Sequence, residues 1–419
     1  MSINIDKAKK IFERMQEQSG LETLISNLRP DDSPLPSGMP KDYSAEATRE
    51  RLEHLAEQRP NTLKYLIPDE SHPDLERLEG SIENFIGFTQ VPTGVVGPLK
   101  VNGSVAKGHY YVPLATTEGA LVASYHRGAK AASRAGGVAS ACLTEGVRRS
   151  PLFGFNTIED AIRFLVWTTD QKATFFEIAQ SKTRHGKLTD IHLNMEGNHV
   201  ILTFEYLTGD ASGQNMVTIC TDAVCQYIAA HCPIPMKYWF VEGNYSGDKK
   251  ASALSFTTVR GKKVTAECIL PADILANVLK TSARTMEEYW RASTVSVIQS
   301  GSIGAQGHFA NGLTALFMAT GQDVACVSEA AVGVTRMECV NNDELYVSVT
   351  LPNLIVGTVG GGTKFTTQQE CLQLMDCAGA GKARHFAEIC GALLLCGEIS
   401  IAAALSEGHF TKAHQQLGR

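Results

Sequence analysis

The chain lacks the cysteine spacing of a zinc knuckle or a redox pair. Its eleven cysteines include no CxxC pair, and the two closest, Cys220 and Cys225, lie in a segment with the pattern of a helix. Others have apolar neighbours, as do Cys390 and Cys396 in EICGALLLCGEIS. Such cysteines are typical of reduced, buried thiols in a cytosolic protein. The sequence therefore predicts no metal site and a cytoplasmic location.

Three further absences limit the classes of protein to which the chain can belong. The formal net charge of -6 and the lack of any block of like charges argue against a nucleic-acid partner. The amino terminus, MSINIDKAKKIFERMQEQ, is polar and does not read as a signal peptide. The most apolar run, from Cys390 to Leu405, is interrupted by Glu398 and is too short to cross a bilayer. We therefore expect a soluble protein without a membrane segment.

The order of apolar and turn residues predicts several domains in the 419 residues. Residues 1–75 have the pattern of small helices, the second one capped by Ser44, and we expect them to pack in an oligomer. Strands punctuated by glycine predict a large domain made of residues 76–150 and 242–405. Residues 151–241 run as helix, helix, strand, strand and helix, which predicts a small inserted α+β domain. A short C-terminal segment, 406–419, follows.

Glu118 is the first candidate for chemistry. It lies in ATTEG after an apolar strand, where we expect it to open a helix capped by Thr116 or Thr117. A glutamate in a first turn is often only a favourable partner of the helix dipole. In apolar surroundings, however, the pKa of a glutamate rises, and the group can donate a proton near neutral pH. This segment alone leaves both interpretations open.

Two other segments supply charges of opposite sign. In GNYSGDKKASA, Lys249 stands beside Asp248 and Lys250. A fixed cation there suits a reaction that develops negative charge on a carbonyl oxygen, although a solvated turn has the same appearance. In ATGQDVA, Asp323 follows an apolar helix. It is either a turn residue or a partner that holds a lysine or glutamate in one protonation state.

Glycine-rich segments and a basic turn suggest a nucleotide site. LIVGTVGGGTKF, with four glycines between a strand and a helix, exposes backbone N–H groups of the kind that bind phosphate. It is neither a Walker A nor a GxGxxG pattern, so it is weak evidence alone. GDASGQNM at 209–216 is similar, and Arg184 in SKTRHGKL suits a 2′-phosphate, unless it belongs to a plain surface turn. His409 and His414 are either tail residues or proton donors carried by a closing tail.

Taken together, these segments resemble one family, the 3-hydroxy-3-methylglutaryl-coenzyme A (HMG-CoA) reductases, in the catalytic portion of the class I type. The matching segments follow the family order from about residue 80 to the end: ENFIGFTQVPTGVVGPL (83–99), VPLATTEGALVAS (112–124), TGDASGQNM (208–216), GNYSGDKK (243–250), ATGQD (319–323), GTVGGGT (357–363) and GHFTKAH (408–414). The resemblance implies that two NADPH reduce HMG-CoA to mevalonate and free CoA. The implied intermediates are the mevaldyl-CoA hemithioacetal and mevaldehyde, and the reaction would be the first committed step of isoprenoid biosynthesis.

The same resemblance implies the fold and the assembly. The fold would be α+β, with a large mixed domain for HMG-CoA at 76–150 and 242–405. A small ferredoxin-like, non-Rossmann domain for NADPH would be inserted at 151–241. A helical N-terminal domain at 1–75 and a C-terminal flap at 406–419 would complete the chain. Active sites would form between two subunits, so the resemblance implies a homodimer that pairs into a homotetramer.

The resemblance also assigns roles to individual residues. Glu118 would shuttle protons, Lys249 would stabilise the oxyanion, Asp323 would couple electrostatically to both, and His414 would protonate the departing CoA thiolate. Substrate binding is implied for Arg149, Asp248, Lys250, Asn311, Ser124 and Arg127, the last at the CoA phosphates. Cofactor binding is implied for Thr183, Arg184, His185, Asp210, Ser212, Gly213, Gln214, Asn215, Met216, Gly360, Gly361, Gly362 and Thr363.

Some positions depart from the family pattern. Ser212 and Gln214 replace two methionines of the usual DAMGMNM motif. Glu242 stands where the class I pattern has a substrate-binding serine, and its carboxylate would repel that of the substrate unless a cation pairs with it. The segment 291–304 lacks the usual lysine–asparagine pair before GSIG, and GQD is followed by VACVSEAA instead of the common AQN. These departures concern substrate affinity and cofactor preference, and the four catalytic positions are intact.

Two alternatives follow from the same residues. The fold could run oxidatively with NADH to degrade mevalonate, although Arg184 argues for NADPH. A catalytically weak homologue that binds CoA esters is the other alternative, suggested by Glu242 and the altered dinucleotide motif.

Overall fold

The computed structural model describes most of the chain in two compact units. The described residues are 4–20, 22–23, 26, 44–58, 78–341 and 343–408. One unit contains the described residues up to 58 together with Glu83–Gly87, and the other contains 78–82 and the residues from Phe88 onwards. Much of the expected helical domain at 1–75 and nearly all of the expected flap, including His409 and His414, lie outside the described residues.

The N-terminal unit contains two helices, α1 (Ile5–Ser19) and α2 (Ala45–Gln58). The side chain of Asn4 caps α1 by accepting a hydrogen bond from the N–H of Lys7 at 2.8 Å. Ser44 caps α2, because its hydroxyl accepts a hydrogen bond from the N–H of Ala47 at 3.1 Å. The predicted cap at Ser44 is thus confirmed.

The second unit is a mixed α+β structure, as predicted. Its strands are β1 (Thr93–Gly103), β2 (Lys107–Ala115), β3 (Val138–Arg149), β4 (Leu152–Gly154), β5 (Lys187–Glu196), β6 (His199–Leu207), β7 (Tyr238–Phe240), β8 (Gly261–Leu270), β9 (Val334–Val340) and β10 (Glu344–Leu354). Its longer helices are α3 (Leu121–Arg134), α4 (Ile158–Asp170), α5 (Lys172–Ser181), α6 (Gln214–His231), α7 (Ala283–Gln299), α8 (Phe309–Thr320), α9 (Thr366–Leu374) and α10 (Ala383–Ser406). Short helical turns occur at 253–256, 272–279, 324–330 and 361–364.

One twisted sheet runs through this unit and carries two hydrophobic cores. Strands pair in the order β7-β4-β6-β3-β8-β10-β9, β1 lies parallel to part of β3, and β2 pairs with β1. The larger core lies around β1, β2, β8, β10 and α10, and the smaller one is formed by residues from Val147 to Ile228. Strand β3 belongs to both parts, since it pairs with β8 and with β6.

The smaller core has the topology of a ferredoxin-like fold. In chain order it contains β4, the helices α4 and α5, the hairpin β5–β6, α6 and β7. The strands lie in the order β7-β4-β6-β5, and each pair is antiparallel. This is the βαββαβ arrangement with one extra helix in its first crossover. It leaves the N-terminus of α6 close to the end of β6, where the motif GDASGQNM lies.

Helix α10 is the central helix of the larger core. It is long and apolar enough to cross a membrane, but 83% of its most apolar window is buried inside the protein. Two buried glutamates on it bind loop backbones. Glu388 accepts hydrogen bonds from the N–H groups of Val105 and Ala106 at 3.0 and 2.8 Å. Glu398 accepts them from Gly307 and His308 at 2.7 and 2.8 Å. A buried carboxylate needs such partners, so α10 fixes these loops.

Candidate active site

Lys249 and Asp323 form an ion pair on the surface of the second unit. Lys249 lies in the loop between β7 and β8, and its Nζ is 2.9 Å from Oδ2 of Asp323. The hydrogen bond that Lys249 donates to Asp323 raises the pKa of Lys249, so the lysine stays protonated. The other oxygen of Asp323 accepts a hydrogen bond from the N–H of Ala325 at 3.1 Å, which fixes the carboxylate. The predicted proximity of a lysine and an aspartate is therefore present within one chain.

The backbone of Lys249 is strained. Its φ is 55°, a left-handed backbone conformation that residues other than glycine, asparagine and aspartate seldom adopt. Such conformations cost on the order of 1–3 kcal/mol, persist only where surrounding contacts hold them, and cluster at functional sites. The loop therefore holds the ammonium group of Lys249 in one place at a cost in stability.

Gln214 connects this pair to the start of α6. It is the first residue of that helix and follows Gly213, whose φ of 76° forms the cap. Its side-chain Nε2 donates to Asp323 Oδ2 at 3.4 Å, and its Oε1 accepts from Nη2 of Arg260 at 3.3 Å. The residue that departs from the family pattern thus links Asp323 to a buried arginine.

Behind the pair lies a buried ionic network. Arg260 is 2% exposed, and it contacts Asp248 and Glu329. The distance from Arg260 Nε to Glu329 Oε1 is 3.1 Å, while Oε2 of Glu329 is buried with no hydrogen-bond partner among the described residues. Burial raises the pKa of Glu329 to about 7, although Arg260 and the backbone amides of Lys249 and Lys250 act in the opposite direction. Burial also works to raise the pKa of Asp248, but Arg260 and Arg149 lower it overall.

Arg149 lies at the end of β3 and pairs with two carboxylates. Its Nη1 is 3.2 Å from Oε2 of Glu242 and 3.1 Å from Oδ2 of Asp248. The cation that Glu242 requires is therefore present. Lys250, the neighbouring predicted ligand, is exposed, and its Nζ donates to the backbone oxygen of Asp248 at 2.9 Å.

Glu118 lies in a different place. Its carboxylate accepts two hydrogen bonds of 3.1 Å from Nδ2 of Asn311, which is in the first turn of α8. Asp323 follows the other end of this 12-residue helix, which corresponds to roughly 18 Å of length. In the single chain the Glu118–Asn311 and Lys249–Asp323 pairs therefore occupy opposite ends of α8.

Two expectations about the segment of Glu118 are wrong. The helix begins at Leu121, after Ala120 with a φ of 68°, and it has no side-chain cap. Thr116 instead accepts a hydrogen bond from the N–H of Glu118 at 3.0 Å and so shapes a turn. Glu118 is exposed in the single chain, so the apolar surroundings that the proton-donor interpretation requires are not provided by this chain alone.

The glycine-rich loop at 357–363 lies directly against the loop 209–216. The N–H of Thr358 donates to the backbone oxygen of Asp210 at 2.8 Å. A Cβ on Gly357 would lie 2.6 Å from the backbone N of Ser212, so only glycine allows this approach. By contrast, Gly360 and Gly361 face open space and leave their backbones accessible. Two predicted cofactor segments, 209–216 and 357–363, thus meet at the start of α6, together with the turn at Gln322–Asp323.

Asp210 has a structural role that the sequence did not suggest. Its two carboxylate oxygens accept hydrogen bonds from the N–H groups of Gly381 at 2.7 Å and Ala383 at 3.1 Å. Asp210 therefore holds the start of α10 beside the glycine-rich loop. Thr363 closes the other side of that loop with a hydrogen bond of 2.6 Å from its hydroxyl to the backbone oxygen of Gly360.

The basic turn around Arg184 lies beside the loop 209–216. Arg184 and His185 are exposed, and the hydroxyl of Thr183 accepts hydrogen bonds from the N–H groups of His185 and Gly186 at 3.2 and 3.0 Å. A Cβ on Gly186 would lie 2.2 Å from the sulfur of Met216, so this turn packs against α6. Asn215, next to Met216, is exposed. Arg184 is therefore near the start of α6, as a nucleotide site at this point requires.

Two predicted substrate ligands contact the core helix. Ser124 and Arg127 lie on α3, where both hydrogen bond to the hydroxyl of Ser400 on α10 at 3.0 Å. Nη2 of Arg127 also donates to the backbone oxygen of Ser400 at 2.6 Å. Burial lowers the pKa of this arginine. In the single chain these side chains fasten α3 to α10.

Sequence reasoning missed three residues that shape the site. Arg260 and Glu329 form its buried base. Gln322 binds the backbone of Gly357 twice: its Oε1 accepts a hydrogen bond from the N–H at 2.9 Å, and its Nε2 donates one to the carbonyl oxygen at 3.0 Å. An acid within the apolar run CVSEAAVGV was the signal for Glu329. Nothing local marks Arg260, because its partners are distant in the sequence.

Comparison with known proteins supports one family. The family model described as hydroxymethylglutaryl-coenzyme A reductase matches residues 47–419. The chain is 43% identical over 352 residues to the 3-hydroxy-3-methylglutaryl-coenzyme A reductase of Pyrococcus abyssi, covering 82% of this chain and 86% of that protein. It is 43% identical over 347 residues to that of Methanocaldococcus jannaschii, covering 82% and 85%.

Solved structures support the fold. The chain is similar to the class II 3-hydroxy-3-methylglutaryl-CoA reductase of Streptococcus pneumoniae, bound to NADPH in open conformations. The TM-score is 0.63 at 19% identity, and the match covers 85% of this chain and 96% of that one. At this identity the likeness concerns the fold.

Proposed function

This chain belongs to the HMG-CoA reductase family and is an oxidoreductase, and we propose that it reduces HMG-CoA to mevalonate and free CoA with two molecules of NADPH. Membership of the family agrees with the seven sequence motifs. The proposed reaction passes through the mevaldyl-CoA hemithioacetal and mevaldehyde, and it is the first committed step of isoprenoid biosynthesis. We further propose that the enzyme is soluble and cytoplasmic, in keeping with the buried position of α10.

The observation that carries the proposal is the Lys249–Asp323 pair beside the start of α6. Reduction of a thioester, and then of an aldehyde, develops negative charge on the same carbonyl oxygen. A protonated lysine held by Asp323 and by a strained backbone is a preorganised cation for that oxygen. In this proposal Glu118 carries protons with Asn311 as its partner, and His414 protonates the departing thiolate.

The residues around α6 fit a phosphorylated dinucleotide. The helix N-terminus, the accessible backbones of Gly360 and Gly361, and the exposed Arg184 supply N–H groups and a guanidinium for phosphates. When bound, NADPH would supply the hydride. We propose that the domain at 151–241 holds it, with contacts from the glycine-rich loop.

The test follows NADPH and NADH separately in the presence of HMG-CoA. We expect oxidation of about two NADPH for each CoA released, and a slower reaction with NADH. Replacing Arg184 with alanine should raise the KM for NADPH more than the KM for NADH. A preference for NADH in the wild type would favour the mevalonate-degrading enzyme. Binding of HMG-CoA without turnover would favour the catalytically weak homologue.

We propose that the active site forms between two subunits of a homodimer, which assembles further into a tetramer. The support is the separation of Glu118 from Lys249 along α8, since one chain does not bring both to a single carbonyl group. The sites would be complete where Glu118 of one subunit meets Lys249 of another.

A complementation experiment tests the shared site. Glu118→Ala and Lys249→Ala proteins, each inactive alone, are mixed under conditions that exchange subunits. In a mixed dimer one site carries both substitutions and the other carries neither, so activity should return. Persistent inactivity of mixed dimers would mean that both residues act within one chain.

A further inference from the structure

Arg149 is a buried cation whose charge is already matched. Its side chain is 8% exposed, and one nitrogen, Nη1, contacts both Glu242 and Asp248. Its Nε is buried without a hydrogen-bond partner among the described residues. A carboxylate that approached this guanidinium would meet Glu242, whose oxygen lies only 3.2 Å from Nη1.

Glu242 is held in place and cannot easily move aside. Its Oε1 accepts hydrogen bonds from the N–H groups of Tyr245 and Ser246 at 3.0 and 3.4 Å. Its Oε2 accepts one from the N–H of Ser150 at 3.3 Å, in addition to Arg149. The side chain is 21% exposed. It is a fixed negative charge next to the loop of Lys249.

The charges of this cluster balance. The cations are Arg149, Lys249, Lys250 and Arg260, and the carboxylates are Glu242, Asp248, Asp323 and Glu329. At pH values above about 7, where Glu329 is ionised as well, the cluster carries no net charge. Without the carboxylate of Glu242 it would carry a single positive charge, centred on Arg149. The choice of residue at position 242 therefore decides whether the cluster attracts an additional anion.

We infer that Glu242 determines acyl specificity: it engages Arg149 and shifts preference away from acyl groups that end in a carboxylate, towards CoA thioesters with an uncharged end. This inference rests on the proposed function, because it takes Arg149 to face the acyl group of the thioester. HMG-CoA is then a substrate with a raised KM. Its 5-carboxamide, which has the same shape without the charge, binds at least as well.

The experiment compares kcat/KM for HMG-CoA and for this carboxamide. The variants are Glu242→Ser, which removes the carboxylate, and Glu242→Gln, which keeps one acceptor oxygen and the shape of the side chain but no charge. Both should raise kcat/KM for HMG-CoA at least about tenfold, mainly through KM, because like charges in close contact are strongly unfavourable. Values for the carboxamide and the KM for NADPH should stay within about threefold. Glu205→Gln is the matched control, since Glu205 pairs with the adjacent Arg148 and should leave both substrates unaffected.

The ratio of kcat/KM for HMG-CoA to kcat/KM for the carboxamide separates a change in specificity from damage to the fold. Damage to the fold would lower both kcat/KM values together. A wild type that prefers HMG-CoA more than tenfold, with neither Glu242 variant changing the ratio, would overturn the inference. Equal gains for both thioesters would overturn it too. If the wild type oxidises NADPH with neither thioester, the proposed function fails and the inference fails with it.

Discussion

The free energy of unfolding of the wild type should fall as the pH rises through the range in which Glu329 titrates. Replacing Glu329 with glutamine should abolish this fall. The side chain of Glu329 is 0% exposed, one oxygen contacts Arg260, and the other has no hydrogen-bond partner among the described residues. Burial raises its pKa from 4.5 to about 7. In the unfolded chain the same group is in water and titrates near its ordinary value.

The sign follows from the protons bound in each state. Between about pH 4.5 and 7 the folded protein keeps a proton on Glu329 that the unfolded chain has released, so the free energy of unfolding falls as the pH rises. The fall is at most about 1.4 kcal/mol for each pH unit, and over the whole shift it amounts to roughly 3 kcal/mol. The stabilisation that comes from keeping Glu329 protonated is fully present below pH 4.5 and is lost above about pH 7. Glutamine binds no proton in either state and therefore lacks this contribution.

The assay is urea unfolding of wild type and Glu329→Gln between pH 4.5 and 8.5 at one protein concentration. The stability of the variant relative to the wild type should rise by roughly 3 kcal/mol across this range and level off above pH 8. Glu338→Gln, at a surface ion pair with Arg336, is the control and should show no such rise. A constant difference for Glu329→Gln would refute the reasoning, because Glu329 would then be ionised throughout by virtue of Arg260.

Three further predictions concern activity. Lys249→Ala should lower kcat at least about 100-fold, whereas Lys263→Ala on an exposed face of β8 should not; equal activities would exclude Lys249 as the oxyanion cation. Asp323→Asn removes the main cause of the raised pKa of Lys249, so the alkaline limb of the kcat–pH profile should move to lower pH, and an unmoved limb would contradict this coupling. Gly357→Ala places a methyl group 2.6 Å from the backbone of Ser212, so the KM for NADPH should rise about tenfold or more. Gly146→Ala, whose nearest contact is the side chain of Glu205 at 3.3 Å, is its control, and a KM unchanged by Gly357→Ala would argue against the loop as a cofactor site.

Much of the fold is predictable because its signals are local. The strand pair β1–β2, the helix α3 and the elements from α4 to α6 each follow from periodicity and turn residues within about 20 positions. The helix α3 begins at Leu121 and not at Glu118, because Ala120 takes a left-handed conformation that no local sequence pattern predicts. The hydroxyl of Thr116 then serves a turn at Glu118.

The base of the candidate site was not predictable, since its contacts join distant segments. Arg260 precedes β8, whereas Glu329 lies in a short helical turn before β9. The two residues meet because β10 pairs with both β8 and β9. Likewise, Asp210 contacts Ala383 across the fold. The sequence motifs identified Lys249 and Asp323, and the family resemblance implied that they interact, but the direct contact of 2.9 Å between the loop of Lys249 and the end of α8 is visible only in the structure.

The position of α10 has a consequence for the biosynthesis of the protein. This helix contacts β1, β3, β8 and β10, yet it occupies residues 383–406, which follow all of these strands in the chain. The strands of the larger core are therefore synthesised before the helix that covers them, and their apolar faces remain open until the ribosome has passed residue 406. The ferredoxin-like segment is contiguous in the chain, so it can fold first, during translation. Chaperones that bind nascent chains should therefore protect the larger core for longest.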